Sequence, residues 1–232
     1  MNQVKVGVLG ASGKVGKELL QVIKEKNHVP FLGIYSKNKP QDFVYCEQDV
    51  NCKMASEVDL WIDFSLPESF EKNILKMANY GKPIISGTTG LTQAQKNLIN
   101  EASKLCPILW SSNMSLGVAV LNEALEVLKK IKQFDFQIEE FHHNKKKDAP
   151  SGTAITLQEN LEKAVERKLP APLSIRGGGI FGVHKVWAMS DQEVLCFEHQ
   201  ALNRRVFAEG ALYVGLKLIG KPKGSYQIRE IL

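Results

Sequence analysis

Val4-Lys5-Val6-Gly7-Val8-Leu9-Gly10-Ala11-Ser12-Gly13-Lys14-Val15-Gly16 decides the fold. The first six residues are a short apolar, β-branched run, the mark of a buried strand. Gly10 ends it. From Gly13 to about Lys24 the apolar residues Val15, Leu19, Val22 and Ile23 recur at helical spacing. Strand, glycine turn and helix in that order form a cradle for a pyrophosphate. Glycines allow the tight turn and a close backbone approach, and the helix start offers free N–H groups and a positive dipole end. The spacing is Gly-x-x-Gly-x-x-Gly, so a flexible loop in an unrelated α/β protein stays open as an alternative. Read as a nucleotide turn, it presents Gly10, Ala11, Ser12, Gly13, Lys14 and Val15 to the ligand.

The same alternation continues outward. Apolar runs stand at Val29 to Tyr35, Leu60 to Phe64, Pro83 to Ser86 and Pro107 to Trp110. Helical patterns lie between them, from Phe70 to Ala78 and from a Thr92 cap to about Leu105. This order predicts a Rossmann-like, doubly wound parallel sheet. Lys37 to Glu57 is too short for a strand, a full helix and a return, so this part must be abbreviated. Beyond it the pattern changes. A long helical stretch, Leu116 to Ile131, precedes alternation at Phe134, Phe136 and Ile138. A basic loop follows, then a helix from Ser151 to about Lys168. Strand-like runs come next at Leu173–Arg176, His184–Met189 and Val194–His199, with a turn at Asp191-Gln192, and a last helical run spans Ala211 to Ile219. Several strands in succession predict a second, α+β domain with a mixed or antiparallel sheet.

Composition narrows the class. The 232 residues suffice for one large or two modest domains. No apolar run approaches the ~18 residues of a membrane span, and no leader pattern precedes Val4. The cysteines at 46, 52, 106 and 196 form no Cys-x-x-Cys pair, which reads as reduced thiols of a cytoplasmic protein, with no metal site expected. A net charge of +5, gathered at Lys129-Lys130, Lys132, Lys145 to Lys147 and Arg204-Arg205, suits a small anion as well as nucleic acid.

Two loops follow strands of the parallel sheet, where ligands of such folds sit: Gly87-Thr88-Thr89-Gly90 and Ser111-Ser112-Asn113-Met114. Turn chemistry alone is the alternative for both. A further stretch carries more chemistry: Glu140-Phe141-His142-His143-Asn144-Lys145-Lys146-Lys147-Asp148-Ala149-Pro150-Ser151-Gly152-Thr153-Ala154. It leaves a strand, crosses a polar loop and enters a helix. Pro150 blocks helix before Ser151, and Ser151 can cap. Gly152 and Thr153 then lie in the first turn, whose N–H groups can hold a carboxylate. Histidines exchange protons near neutral pH, and a lysine donates a proton or holds an anion. A histidine metal site, a solvated lysine face and a cap without ligand are the alternatives.

This stretch is similar to the signature His-His-x-x-Lys-x-Asp-Ala-Pro-Ser-Gly-Thr-Ala of the 4-hydroxy-tetrahydrodipicolinate reductase (dihydrodipicolinate reductase) family of lysine and diaminopimelate biosynthesis. The resemblance runs along the chain, through Gly10 to Gly16, Asp63-Phe64-Ser65-x-Pro67, Gly87 to Gly90, Ser112 to Val118, Arg176-Gly177-Gly178 and His199 to Ala211. It implies that His142 and Lys146 handle protons and that His143, Gly152 and Thr153 meet the carboxylates of a small dicarboxylate substrate. It implies dinucleotide contacts from Gly10 to Val15, Gly87 to Thr89 and Ser111 to Met114. The implied organisation is a dinucleotide-binding domain at 1–113 and a substrate-binding and oligomerisation domain at 114–205, with a return to the first domain at 206–232. A homotetramer is implied too; neither nucleic acid nor membrane is. The chain departs from the family at Val183, where glutamate is usual, and at Asn144 and Lys145.

Cofactor choice is read at the end of the second strand, Gly33-Ile34-Tyr35-Ser36-Lys37-Asn38-Lys39. NAD sites usually place an acid there for the ribose hydroxyls. No Asp or Glu occurs before Asp42, while Ser36 and Lys37 or Lys39 can meet a 2′-phosphate. NADPH is therefore expected to serve at least as well as NADH, unless both lysines are merely solvated. Another two-domain amino-acid or imino-acid dehydrogenase, or an inactive dinucleotide-sensing module, would share the glycine turn. Neither accounts for the stretch from His142 to Ala154.

Overall fold

Strand β1 (Lys5–Leu9) is buried along nearly its whole length, with Val6 and Val8 inaccessible to solvent. The structure, a computed structural model, describes residues 3–232; residues 1–2, on which the expected lack of a leader partly rests, lie outside them. The chain divides into two compact units. Unit 1 holds the chain up to Ser115 together with Arg204–Leu232, and unit 2 holds Leu116–Asn203.

In unit 1, β1 leads through the glycine turn into α1 (Lys14–Glu25), then β2 (Val29–Ile34) and β3 (Tyr45–Glu47). The expected abbreviation takes the form of a three-residue strand and a short 3-10 turn at Lys53–Glu57, with no full helix. Next come β4 (Leu60–Asp63), α2 (Pro67–Ala78), β5 (Ile84–Ser86), α3 (Gln93–Ser103) and β6 (Pro107–Trp110). Helix α2 starts three residues before its apolar periodicity, because Pro67 fits a first helical position whose N–H needs no partner. Thr92 caps α3 as expected and completes a capping box with Gln95.

Unit 2 begins with α4 (Leu116–Leu125), followed by β7 (Asp135–His142), α5 (Gly152–Val165), β8 (Leu173–Arg176), β9 (Gly182–Met189) and β10 (Val194–Ala201). The long helix expected at Leu116 to Ile131 tightens into a 3-10 segment from Glu126. Helix α5 stops short of Lys168 because Glu166 takes a left-handed conformation. The strands are ordered β10-β9-β7-β8, mixed because only β7 and β8 run parallel. Phe136 and Ile138 point to the helix-covered face, against Leu121, Leu125, Leu128, Leu157 and Leu161.

The chain returns to unit 1 with α6 (Arg205–Leu218) and β11 (Gly224–Tyr226). Helix α6 starts six residues before the expected Ala211, since its first turn is only half-buried and its apolar period shows late. The sheet of unit 1 is parallel throughout, ordered β11-β6-β5-β4-β1-β2-β3. Trp61, Ile84 and Ile108 pack on one face with Phe70, Ile74 and Met77 of α2 and with Ile99 of α3. On the other face α6 comes so close that a Cβ on Gly215 would lie 2.8 Å from the Leu60 side chain. Both faces are thus covered by helices, which makes the sheet doubly wound.

Strand register now places the loops. Leu9 pairs with Ile34 on one side and Asp63 on the other, Asp63 with Ser86, and Ser86 with Trp110. The chain leaves β1 for β2 and β3 on one flank and resumes with β4 on the other. The switch point therefore lies at β1 and β4, with the loops after β1, β2, β4, β5 and β6 all at one edge. That edge is where open α/β sheets bind ligands. No helix among the described residues is long and apolar enough to cross a membrane.

Candidate active site

The turn after β1 is dictated by its glycines. Gly10 sits at φ +84°, and a Cβ there would meet the Phe64 carbonyl oxygen at 2.6 Å. A Cβ on Gly16 would fall 2.4 Å from the Gly10 carbonyl oxygen, so α1 can lie this close to the turn only with glycine at 16. Gly10 and Ala11 both donate N–H groups to the Ile34 carbonyl, at 3.1 Å each. Gly13 is the N-cap of α1 and lacks a side-chain cap, while its N–H closes the turn onto the Gly10 carbonyl at 2.9 Å. The first turn of α1 thus offers backbone N–H groups unobstructed by a capping side chain, and Lys14 is exposed beside it. These residues fit a pyrophosphate.

A buried carboxylate holds the neighbouring loops. Asp63 is inaccessible to solvent and accepts hydrogen bonds from Ser86 Oγ at 2.7 Å, Thr88 Oγ1 at 2.8 Å and the Ser65 N–H at 2.9 Å. Burial raises its pKa, and those hydrogen bonds oppose the rise. Thr88 is therefore turned inward: its hydroxyl meets Asp63 and its carbonyl accepts from Trp110 Nε1 at 2.9 Å. Gly87 is buried as well, and a Cβ there would meet the Phe64 ring at 2.3 Å. Of the candidates in this loop Thr89 stays exposed, while Gly87 and Thr88 set its shape. In the next loop Ser111 Oγ accepts from the Asn113 N–H, Ser112 is exposed and Met114 is buried. Ser36, Lys37 and Lys39 are exposed beyond β2. Strand pairing also brings Glu47 beside Ile34, an acid that the sequence reading overlooked because thirteen residues separate them.

Unit 2 carries the second constellation. The period of β7 puts Phe136, Ile138, Glu140 and His142 on one face, and this face turns from apolar to ionic at its end. Glu140 is inaccessible to solvent. It accepts from Arg176 Nη1 and Nη2 at 2.9 and 2.6 Å and from the Ser151 N–H at 3.1 Å, and it lies in hydrogen-bond contact with His142 Nδ1 at 2.5 Å. Burial opposes its charge, but the bonds from Arg176, Ser174 and His142 outweigh that and hold its pKa at about 2. For His142 burial lowers the pKa and Glu140 works the other way. His184, on β9, packs edge-on to His142 with ring centroids 5.3 Å apart. Burial, helped by the charges of His142 and His199, takes His184 down to about 4.

Ser151 caps α5 as expected: its Oγ accepts from the Ala154 N–H at 3.2 Å and contacts His184 Nε2 at the same distance. Gly152 is exposed, with nothing within 4 Å of where a Cβ would stand, and Thr153 follows half-buried. The Ala149–Pro150 peptide bond that leads into the helix is cis. Lys146 lies half-buried in the loop and pairs with Asp148 at 2.9 Å. His143 is half-buried, with Nδ1 lacking a hydrogen-bond partner. Unit 2 therefore gathers His142, Lys146 and the start of α5 at one end of its sheet. No group of three or more His, Cys, Asp or Glu among the described residues could hold a metal ion.

Family models described as dihydrodipicolinate reductase, N-terminus, and dihydrodipicolinate reductase, C-terminus, match residues 4–114 and 117–232. The chain belongs to the dihydrodipicolinate reductase family. As a member it is an enzyme, an oxidoreductase. A 4-hydroxy-tetrahydrodipicolinate reductase of Bdellovibrio bacteriovorus is 52% identical, over 100% of this chain and 97% of that protein. One from Xanthomonas axonopodis pv. citri is 40% identical, over 99% and 98%. A dipicolinate-bound dihydrodipicolinate reductase from Paenisporosarcina sp. TG-14 shares the fold, with a TM-score of 0.84 at 17% identity over 100% of both chains.

Within this reductase the expected site residues fall into two sets, one per unit. Arg176 was legible as part of a family motif, but Glu140 was not, nor was their pairing, because 36 residues separate them. A sequence signal existed for Glu140. It precedes His142 by two positions on a strand, and residues two apart on a strand share a face.

Proposed function

We propose that this dihydrodipicolinate reductase reduces 4-hydroxy-tetrahydrodipicolinate, by way of dihydrodipicolinate, to tetrahydrodipicolinate in lysine and diaminopimelate biosynthesis, using NADPH or NADH. One observation carries this reading. His142, Lys146 and the Ser151-capped start of α5 fold together at one end of the unit 2 sheet, within the same thirteen-residue motif.

The dinucleotide, when bound, supplies the hydride. Unit 1 holds it through the backbone of Gly10 to Val15, with Thr89, Ser111, Ser112 and Asn113 at the neighbouring loop ends and with Gly87, Thr88 and Met114 shaping those loops. Ser36 and Lys37 lie where a 2′-phosphate is read. In unit 2 the substrate carboxylates meet His143 and the N–H groups of Gly152 and Thr153, fixed donors that need no mobile side chain. Reduction of a conjugated imine leaves an electron-rich enamine, and a proton must then reach it. Lys146 donates that proton and His142 exchanges one beside it. Positioned acids of this kind contribute about 100- to 10,000-fold. The fold of the dipicolinate-bound Paenisporosarcina protein accommodates a planar dicarboxylate of this size in that protein.

Domains at 1–113 with 206–232, and at 114–205, divide these tasks. The four free thiols suit a reducing cytoplasm. Exposed Leu173 and Ile175 on β8, with Val194 and Leu195 on β10, leave apolar surface on both edge strands of the unit 2 sheet, which suits a homotetramer. The deciding assay is oxidation of NADPH and of NADH with substrate formed in situ from pyruvate and aspartate semialdehyde. Turnover at least as efficient with NADPH is expected, and no turnover with either cofactor overturns the reading. Lys37→Ala should shift the cofactor ratio towards NADH, and Glu47→Gln should shift it towards NADPH.

A further inference from the structure

We infer that Glu140 is a positioning residue for the proton transfer: its ionised carboxylate, clamped by Arg176, holds the His142 ring with its proton on Nδ1 and leaves Nε2 as the nitrogen that exchanges. This rests on the reading that His142 takes part in the chemistry.

The hydrogen-bond inventory forces the tautomer. An ionised carboxylate has only lone pairs to offer, so any nitrogen bonded to it must carry hydrogen. Glu140 has no access to solvent, and its two oxygens face Arg176 in a bidentate pair, the Ser151 N–H and His142 Nδ1. Arg176 and the Ser151 N–H can only donate, so the carboxylate they hold is charged, and Nδ1 must then be the donor to it. The opposite nitrogen is left uncovered by a glycine: a Cβ at Gly182 would stand 3.1 Å from His142 Nε2. The clamp also reaches the lysine loop. Arg176 Nη2 donates to the Asp148 carbonyl at 2.6 Å, and Asp148 pairs through its side chain with Lys146. One buried carboxylate thereby orders the strand end that bears His142, the helix start at Ser151 and the loop that bears Lys146.

Charged and titratable groups face His142 from every element packed against it. They are Glu140 on β7, Arg176 at the end of β8, His184 on β9 with His199 behind it on β10, and Lys146 from the loop. Glu140 alone among them favours the imidazolium; burial, Lys146 and Arg176 oppose it. Removing the Glu140 charge therefore moves the His142 ionisation to lower pH.

The test is nitrogen-15 NMR of the full-length protein with labelled histidines, His142 being assigned from His142→Ala. The wild type should show a protonated Nδ1 and a bare Nε2. In Glu140→Gln the amide can donate as well as accept, so the second tautomer should appear. Its kcat should fall ~10-fold, less than the ~100-fold floor for a fully lost general acid, with KM little changed. The acid limb of its pH profile should move down, and Glu140→Asp should restore the tautomer and part of kcat. A wild-type proton on Nε2 overturns the inference, as does a Glu140→Gln enzyme with unaltered kcat and pH profile. Should Glu140→Gln fail to fold, the wild-type spectrum decides alone. Full turnover by His142→Ala would instead sink the role of His142, while the spectrum still reports whether Glu140 holds the ring.

Discussion

Lys146 stands among three consecutive lysines, and composition alone gives it no rank above its neighbours. The structure separates them: Lys145 and Lys147 are exposed, while Lys146 is half-buried and paired with Asp148, whose carbonyl holds Arg176. Its ammonium is thereby tied to the network around His142. Lys146→Ala should lower kcat at least ~100-fold with a smaller change in KM, the pattern of an interaction made in the transition state. His142→Ala should be milder, because water or Lys146 can substitute. Steady-state kinetics of the purified variants check both, and wild-type turnover by Lys146→Ala would refute its role as acid.

At the scale of an element, two glycines near helix starts act differently. Gly16, in α1, is required by packing, since its Cβ would strike the Gly10 carbonyl at 2.4 Å. Gly152, the first residue of α5, has open space around its missing Cβ and no positive φ. Gly16→Ala should therefore cost about 1–3 kcal/mol as overpacking and lower Tm by several degrees. Gly152→Ala should leave Tm unchanged, yet raise KM for the dicarboxylate ~10-fold as a methyl group intrudes on the carboxylate. Thermal melts and kinetics on the two variants separate the roles, and an unaltered KM in Gly152→Ala would remove the start of α5 from substrate binding. Element boundaries show how far periodicity reaches. The Thr92 and Ser151 caps were readable because the capping chemistry is local. The late starts read for α2 and α6 were not, because helical turns that are half-buried or begin with proline carry little apolar period. Strand β11 was missed for a related reason: three residues, Gly224–Tyr226, join the sheet only through pairing with β6.

For the molecule as a whole, buried histidines couple folding to pH. His184 titrates at about 4 in the folded protein, because of its burial first and the charges of His142 and His199 next, against 6.5 for a free imidazole. Between those values the unfolded chain binds more protons, so stability rises with pH across the window and is lost as pH falls through it. The loss from this group is on the order of 3 kcal/mol. Glu140, held at about 2 against its usual 4.5, loses its contribution further down, between those two values. Urea melts from about pH 7 to about pH 4 should show falling stability, with a shallower fall in His184→Gln. An equally steep fall in that variant would assign the acid lability elsewhere.

The alternation of apolar runs with helical periods determined the doubly wound sheet, and the glycine turn at Gly10 to Gly16 with the motif from His142 to Ala154 determined the family. These signals are local: each needs only neighbours within a turn or a strand to be read. What the tertiary structure alone decided is which distant groups meet. It placed Arg176 on Glu140, turned Thr88 onto Asp63, set Glu47 beside Ile34 and aligned the ends of five strands at one sheet edge. Each of these depends on strand order and register. Register is set by burial of whole faces, a property of the assembled sheet that no single segment contains.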